Sequence, residues 1–287
     1  MKKTGNLRGW RQQGVALIAV LWIVAALAIV VAGISYSVRS ELRQVAVSRD
    51  MVQAKARAEA AMVLVLQQMS SSDKRPNRVV NTNVAYEGQT IDVEIMPLNG
   101  LIDINNAPAP LLVRLFENGA NIAPQAAEEL AKSVVAARVK PDKQGRAVRF
   151  DAIQDLLRVQ GVDYELYARL APLLTAEAGG SGRVNPLAAP ERVLRVILGG
   201  GAAASLANFV ARRQADEVGL DITMFDGSFV DTASTQRFRL KARVPLLSGS
   251  HSLMTCDVEF SARTQGAMPW SILHCVNQFE TNPGKRL

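Results

Sequence analysis

Histidine is almost missing from this chain of 287 residues: His251 and His274 are the only two. That scarcity excludes a metal or catalytic centre built from clustered imidazoles. Pairing either one with Ser181 as a nucleophile finds no supporting motif. Cysteine is equally scarce, with Cys256 and Cys275 both near the C-terminus and nothing at metal-finger spacing. In an oxidising compartment the two can bond. Two buried free thiols fit the sequence as well, because spacing alone does not bring their Cα atoms within about 7 Å. Acid is absent from residues 1–14, which carry Lys2, Lys3, Arg8 and Arg11. Of the 33 Lys and Arg, four lie there, which leaves 29 against 26 acids in the rest of the chain. The overall +7 is therefore not the footprint of a nucleic-acid binder.

Charge of either sign is missing from Val15 to Ile34, VALIAVLWIVAALAIVVAGI. A run of this length rises about 30 Å as a helix, the thickness of a bilayer core. Positive charge before it predicts a cytoplasmic N-terminus and an exported remainder. Glycine and proline are then absent until the SSSDKRP break at Ser70, so the helical pattern continues from the apolar run into an amphipathic half. One helix from Val15 to about Met69 far exceeds the usual ~11–12 residues and predicts a pilin-like stalk. A secretory signal peptide has a shorter core followed by an A-x-A-like site, which is not present here. A plain signal anchor would show the same span.

After the break, residues 77–104 alternate as strands, with Ile91, Val93 and Ile95 on one face and a turn at Glu87-Gly88. Residues 105–215 are rich in Ala and Leu at helical period, in APLLVRLFENG, PQAAEELAKSVVAARV, FDAIQDLLRVQG, YELYARLAPLLT, PERVLRVILGG and AAASLANFVARRQAD. Strand patterns return in RFRLKARVPL, SLMTCDVEFSAR and WSILHCVNQF. An internal repeat links LIDINNAPAPLLVRL, from Leu101, to GRVNPLAAPERVLRV, from Gly182. Each copy is an extended step, an Asn (Asn105 or Asn185), a small-residue turn and a helix. In both, the Asn suits a turn or a cap.

Arg11-Gln-Gln-Gly14 before Val15-Ala-Leu-Ile resembles the leader of type IV prepilins. The resemblance implies that a prepilin peptidase cuts between Gly14 and Val15 and methylates the new N-terminus. That family carries Glu at the fifth mature position, where this chain has Ala19. Lack of that Glu is a trait of the K-type minor pseudopilin of type II secretion. LIDINNAPAPLL, FDAIQDLLRVQGV and RVNPLAAPERVL, followed by strands, extend the resemblance over nearly the whole chain. It implies an α+β fold: a long pilin-like helix on an antiparallel β-rich domain interrupted by an all-α insert like helix-hairpin-helix or sterile-alpha-motif modules. The expected divisions are a leader at 1–14, a transmembrane and stalk helix at 15–70, β-domain parts at 71–104 and 216–287, and the insert at 105–215.

By resemblance the protein is not an enzyme. It caps or initiates the pseudopilus with the I- and J-type minor pseudopilins, anchored in the inner membrane with its domain in the periplasm. Calcium binding belongs to the same family, and Asp216, Glu217, Asp221, Asp226 and Asp231 are the acids of one loop. Oxygen donors suit Ca²⁺, but the spacing is not that of an EF-hand, and a solvated acidic loop is the plainer reading. Small residues at Ala25, Ala28, Ala32 and Gly33 are expected to pack on partner helices, and the face Ala54, Ala58, Ala61 and Val65 on partner helices or, in part, on the chain's own β-domain.

Two rivals remain. One is a type IV pilus minor pilin. The other is a membrane-anchored helix-hairpin-helix DNA receptor, which binds phosphate through a Gly-x-Gly hairpin. Glu117–Pro124 has no Gly-x-Gly, and Arg158–Asp163 has one Gly and an acid where phosphate would sit.

Overall fold

Helix α1 spans Trp10–Ser71. The computed structural model describes residues 10–72, 74–139, 149–199, 202–215, 217, 219–261 and 268–280, with the side chains of 10–16 and 32–40 excepted. The chain divides into two units, Met1–Ala54 and Lys55–Leu287. The first is the N-terminal part of α1, a run without proline. The second holds everything else.

At its end, α1 stops in serines. Ser70 and Ser71 donate their hydroxyls to the carbonyls of Gln67 and Gln68 at 2.8 and 2.9 Å. These carbonyls would otherwise lack an intrahelical partner. The chain then forms β1 (Val80–Tyr86) and β2 (Gln89–Pro97), joined by Glu87 and Gly88. Both turn residues have positive φ, 47° and 74°, the conformation that matches strand twist in a two-residue hairpin. Strands β3 (Ile102–Asp103) and β4 (Leu174–Thr175) lie in the helical insert. Strands β5 (Arg237–Pro245), β6 (His251–Phe260) and β7 (Trp270–Glu280) complete an antiparallel sheet of order β1-β2-β5-β6-β7.

The two faces of this sheet are built differently. One buries Ile91, Val93, Ile95, Phe238, Leu240, Ala242, Val244, Met254 and Val258, matched by Ala58, Ala61, Met62, Val65, Leu66 and Met69 of α1. The small side chains at 58 and 61 leave room for a helix close to the strands. The other face is a ladder of ion pairs between register partners. Glu94 meets Lys241 at 2.7 Å, Arg239 grips Asp257 through two bonds of 2.7 and 2.8 Å, and Arg237 meets Glu259 at 2.9 Å. The edge strands β1 and β7 contribute no buried side chain.

Between β2 and β5 the insert folds around its own apolar core, in which Leu111, Leu115, Phe116, Leu170, Val193 and Ile197 take part. It contains α2 (Ala109–Arg114), α3 (Pro124–Val139), α4 (Tyr164–Leu170), α5 (Glu191–Leu198) and α6 (Ala203–Gln214). FDAIQDLLRVQG does not form an α-helix; it makes a 3₁₀ turn over Ile153–Arg158. Asp155 accepts from the N–H groups of Asp151 and Ala152 at 2.8 and 3.2 Å and so organises that entry. After β2 the chain does not rejoin the sheet until Arg237.

The repeat is larger than its sequence signature. The extended step of the first copy, β3, pairs in parallel with β4; the step of the second, at Val184, pairs in parallel with Val230. Each copy therefore opens on an extended step, turns at an Asn, runs through helices entered from Pro108 or Pro190, and closes on a parallel pairing with its opener, a two-residue ladder in the first copy and a single bridge in the second. The copies touch reciprocally at glycines. A Cβ on Gly182 would lie 2.0 Å from the Asn106 carbonyl oxygen, and one on Gly100 would lie 2.5 Å from that of Ala188.

Candidate assembly surface and sequence-predicted sites

In the first unit, every described side chain from Leu17 to Val31 is exposed, and Leu17, Trp22 and Ile29 each reach 73 %. An unbroken apolar surface of this kind marks a membrane or protein interface. Among the described residues, no helix is long and apolar enough to cross a membrane. Ala19, Ala25 and Ala28 lie exposed within this stretch. Gly14 and Val15 fall inside the backbone of α1, but their side chains, like those of Ala32 and Gly33, are outside the described residues.

The second small-residue face is not available to partner helices. Ala54, Ala58, Ala61 and Val65 are all buried, and the last three lie in the layer that faces the sheet. Apolar residues at helical spacing mark a buried face without naming what buries it. Here the chain's own strands supply the cover for Ala58, Ala61 and Val65.

The acidic loop does not gather a cation site. Among the described residues no group of three His, Cys, Asp or Glu could hold a metal ion, and Asp216 lies outside them. Glu217 pairs with Arg212, including an Nε–Oε2 bond of 2.7 Å, and that bond holds its pKa below the usual range. The Thr223 side chain, and then its N–H donating at 2.9 Å, lower Asp221, and the Ser228 hydroxyl and N–H, at 2.7 and 2.9 Å, lower Asp226. Asp231 accepts from the Ala233 N–H at 3.0 Å and the Ser181 hydroxyl at 2.9 Å, and is lowered for the same reason. Glu217, Asp221 and Asp226 are thus bound within their own stretch of chain and Asp231 is shared with Ser181, whereas a Ca²⁺ site gathers 6–8 converging oxygens. Ser181 is engaged with Asp231 and has no histidine partner.

Cys256 and Cys275 form a disulfide between register partners of β6 and β7, with Cα atoms 4.2 Å apart. The bond fastens an edge strand that buries none of its own side chains.

The hairpins that a DNA receptor would use are filled. Asp163 caps α4 by accepting from the Leu166 N–H at 2.7 Å, so a carboxylate occupies the helix N-terminus that a phosphate would need. Gly119, after α2, sits against Leu173, Leu115 and Leu170. Sequence reasoning missed the close approach at Gly182, whose only signal was a glycine three residues before the second Asn.

No family model matches the chain, and no curated protein matches it. Among solved structures, it is similar to a chain of the GspK-GspI-GspJ complex from the type 2 secretion system of enterotoxigenic Escherichia coli. The TM-score is 0.53 at 16 % identity, over 80 % of this chain and 98 % of that one. At this identity the likeness is one of fold: the mixed helix and antiparallel-sheet architecture is pseudopilin-like.

Proposed function

We propose that this protein is a K-type minor pseudopilin of a type II secretion system, working at the tip of the pseudopilus with the I- and J-type minor pseudopilins. It is not an enzyme. The observation that carries the reading is a large helical insert between two neighbouring strands of a sheet packed on α1, in a fold like that of a chain in a complex of three such proteins. Bulk of this kind on the domain hinders stacking of a further subunit above it. Ala19 adds to the case, since a capping subunit has no neighbour above whose charged amine would need a carboxylate at the fifth mature position.

In this reading Val15–Ile34 spans the inner membrane, the N-terminus is cytoplasmic and the domain is periplasmic. Prepilin peptidase removes residues 1–14 and methylates Val15. The DNA-receptor alternative loses support from the acid at Asp163.

The test is to delete the gene and follow both secretion and fibres. Fewer fibres started, or fibres of uncontrolled length, with the major subunit stable and secretion lost, is the expected result. Normal secretion with defective type IV pili would instead identify a pilus minor pilin. N-terminal sequencing of the mature protein should find methylated Val15. A full-length precursor that still functions would remove the processing step from the reading.

A further inference from the structure

Strand β7 is the least protected edge of the sheet. It is the last strand in the order, so its outward N–H and C=O groups have no strand beside them among the described residues. It runs for 11 residues, where the usual strand has about 5–6. Natural edges are blunted by short length, Lys, Pro or an inward-pointing charge. β7 carries no Lys, Arg or Pro, and its one acid, Glu280, is its last residue and already meets Arg243 at 3.2 Å. It also exposes Ile272 at 58 %, Val276 at 37 % and Phe279 at 49 %. The other edge, β1, exposes only Val80 among its large apolar side chains, while Val84 and Tyr86 are half-buried.

The pairing with β6 fixes which residues of β7 share a face. Its register shifts between Asp257 and Val258 and is regular from His274 to Glu280. In that stretch Cys275, Asn277 and Phe279 lie opposite Cys256, Met254 and Ser252, on the α1 side of the sheet. His274, Val276, Gln278 and Glu280 lie on the ion-paired side, opposite Asp257, Thr255, Leu253 and His251. The disulfide to Cys256 holds the stretch against β6.

This stretch is complementary to itself. An antiparallel second copy, placed about a two-fold axis at Asn277, sets Val276 opposite Gln278, Cys275 opposite Phe279 and His274 opposite Glu280. Each pair occurs twice, and both members of each pair belong to one face. The arrangement covers Val276 and Phe279, puts an imidazole opposite the Glu280 carboxylate and opposes no like charges. Asn277 meets its own copy, amide to amide. Cross-strand pairs of this kind are what stabilise a sheet. One patch used by both copies also closes the assembly at two, whereas adding β7 to β1 of the next copy would run on as a chain of subunits.

We infer that β7 is a self-docking edge through which two copies of this chain pair, joining their two five-stranded sheets into one. The inference goes beyond the secretion reading and does not rest on it, since it uses only the strand's edge, its register and its exposed side chains.

The test uses the full chain in detergent. Asn277→Cys is treated with a short bismaleimide, which meets no free thiol in the unaltered chain because Cys256 and Cys275 are bonded to each other. A cross-linked dimer is expected, at least tenfold more abundant than from Lys132→Cys on α3 or Asn83→Cys on β1, both exposed positions. Adding Val276→Lys to Asn277→Cys should lower the yield at least tenfold in protein shown folded by circular dichroism, and adding Val276→Thr should keep it. No cross-link at 277, an equal yield at 83 or 132, or a yield at 277 that Val276→Lys leaves unchanged would overturn the inference. So would a mixture of the Asn277→Cys and Asn83→Cys chains that joins 277 to 83 in preference to 277 with itself, the mark of head-to-tail addition.

Discussion

The two copies of the repeat share one local design and direct it to different ends. In both, an Asn follows an extended step and precedes a helix entered from proline. Asn105 is half-buried and turns inward on its own copy. Its amide donates to the carbonyls of Phe150 and Ala176 at 2.9 and 3.0 Å and accepts from the Phe150 N–H at 2.9 Å. Asn185, fully buried, accepts from the Leu187 N–H at 3.0 Å and reaches out of the insert to the Asn77 carbonyl at 2.8 Å. Its backbone N–H adds a 2.7 Å bond to the Asn99 carbonyl. The first copy thus closes itself, and the second fastens the insert to the segments that flank the sheet. A repeated local code fixes a turn; the far partner of each amide is set by position in the fold.

The strongest way to break the pairing of the copies is Gly182→Ala. The new Cβ would meet backbone atoms of Asn106 and Ala107, and the residue holds φ at 73°. Strain and overlap together should destabilise the domain by about 3 kcal/mol or more, seen as a fall in the urea midpoint or as loss of soluble protein. Wild-type stability would show that the contact yields easily. Gly100→Ala probes the reciprocal contact at ordinary φ, and a loss of about 2 kcal/mol is expected, smaller than at Gly182.

The asparagines sharpen the comparison. Asn105→Ala and Asn185→Ala should each lose about 2 kcal/mol, because each leaves buried backbone groups without partners. Hydrogen exchange should separate them. Asn105→Ala should speed exchange around Phe150, and Asn185→Ala around Leu187 and the junction near Asn77 and Asn99. Identical exchange maps would erase the distinction drawn between the copies.

The smallest effect is in pH. Each copy carries an acid just after its closing strand, Glu177 in the first and Asp231 in the second. Burial, the largest cause, raises the pKa of Glu177 against the pull of Arg237. The bonds from Ala233 and Ser181 lower that of Asp231. Asp231 therefore stabilises the fold above the ordinary carboxylate range, and that contribution is lost as pH falls. Glu177 does the reverse, losing its contribution as pH rises through its raised value. Urea titrations between about pH 3 and 6 should show Asp231→Asn reducing the loss of stability on acidification and Glu177→Gln enlarging it. Shifts of the same sign in both variants would contradict the assignment.

Much of the architecture was legible in the sequence. The Glu87-Gly88 hairpin, the alternation of Ile91, Val93 and Ile95, and most helices of the insert followed from period and turn chemistry. The small-residue face of α1 was also visible, but periodicity carries no information on what covers a face, and of the two covers the sequence left open Ala58, Ala61 and Val65 take the chain's own sheet. FDAIQDLLRVQG has helical spacing, yet Ile153–Arg158 forms a 3₁₀ turn that spacing alone does not distinguish from an α-helix. For the acids of the 216–231 loop the sequence left open a solvated loop or a cation site, because it does not display the N–H groups that Asp221, Asp226 and Asp231 accept from or the Arg212 side chain that pairs with Glu217. The return pairings at Leu174 and Val230 were missed because a two-residue strand and a single bridge are too short for any alternation to register.

The insert leaves the sheet after Pro97 and returns at Arg237, and Pro97 and Phe238 are register partners on neighbouring strands. Its two ends are therefore one strand spacing apart, about 4.8 Å. Closing a disordered loop of this length would cost roughly 4 kcal/mol of chain entropy before the first rung of that ladder formed. An insert that folds first removes most of this barrier, because its own closing contacts already hold the ends side by side. A helical block that folded first would then present β5 to β2 as a template for the rest of the sheet.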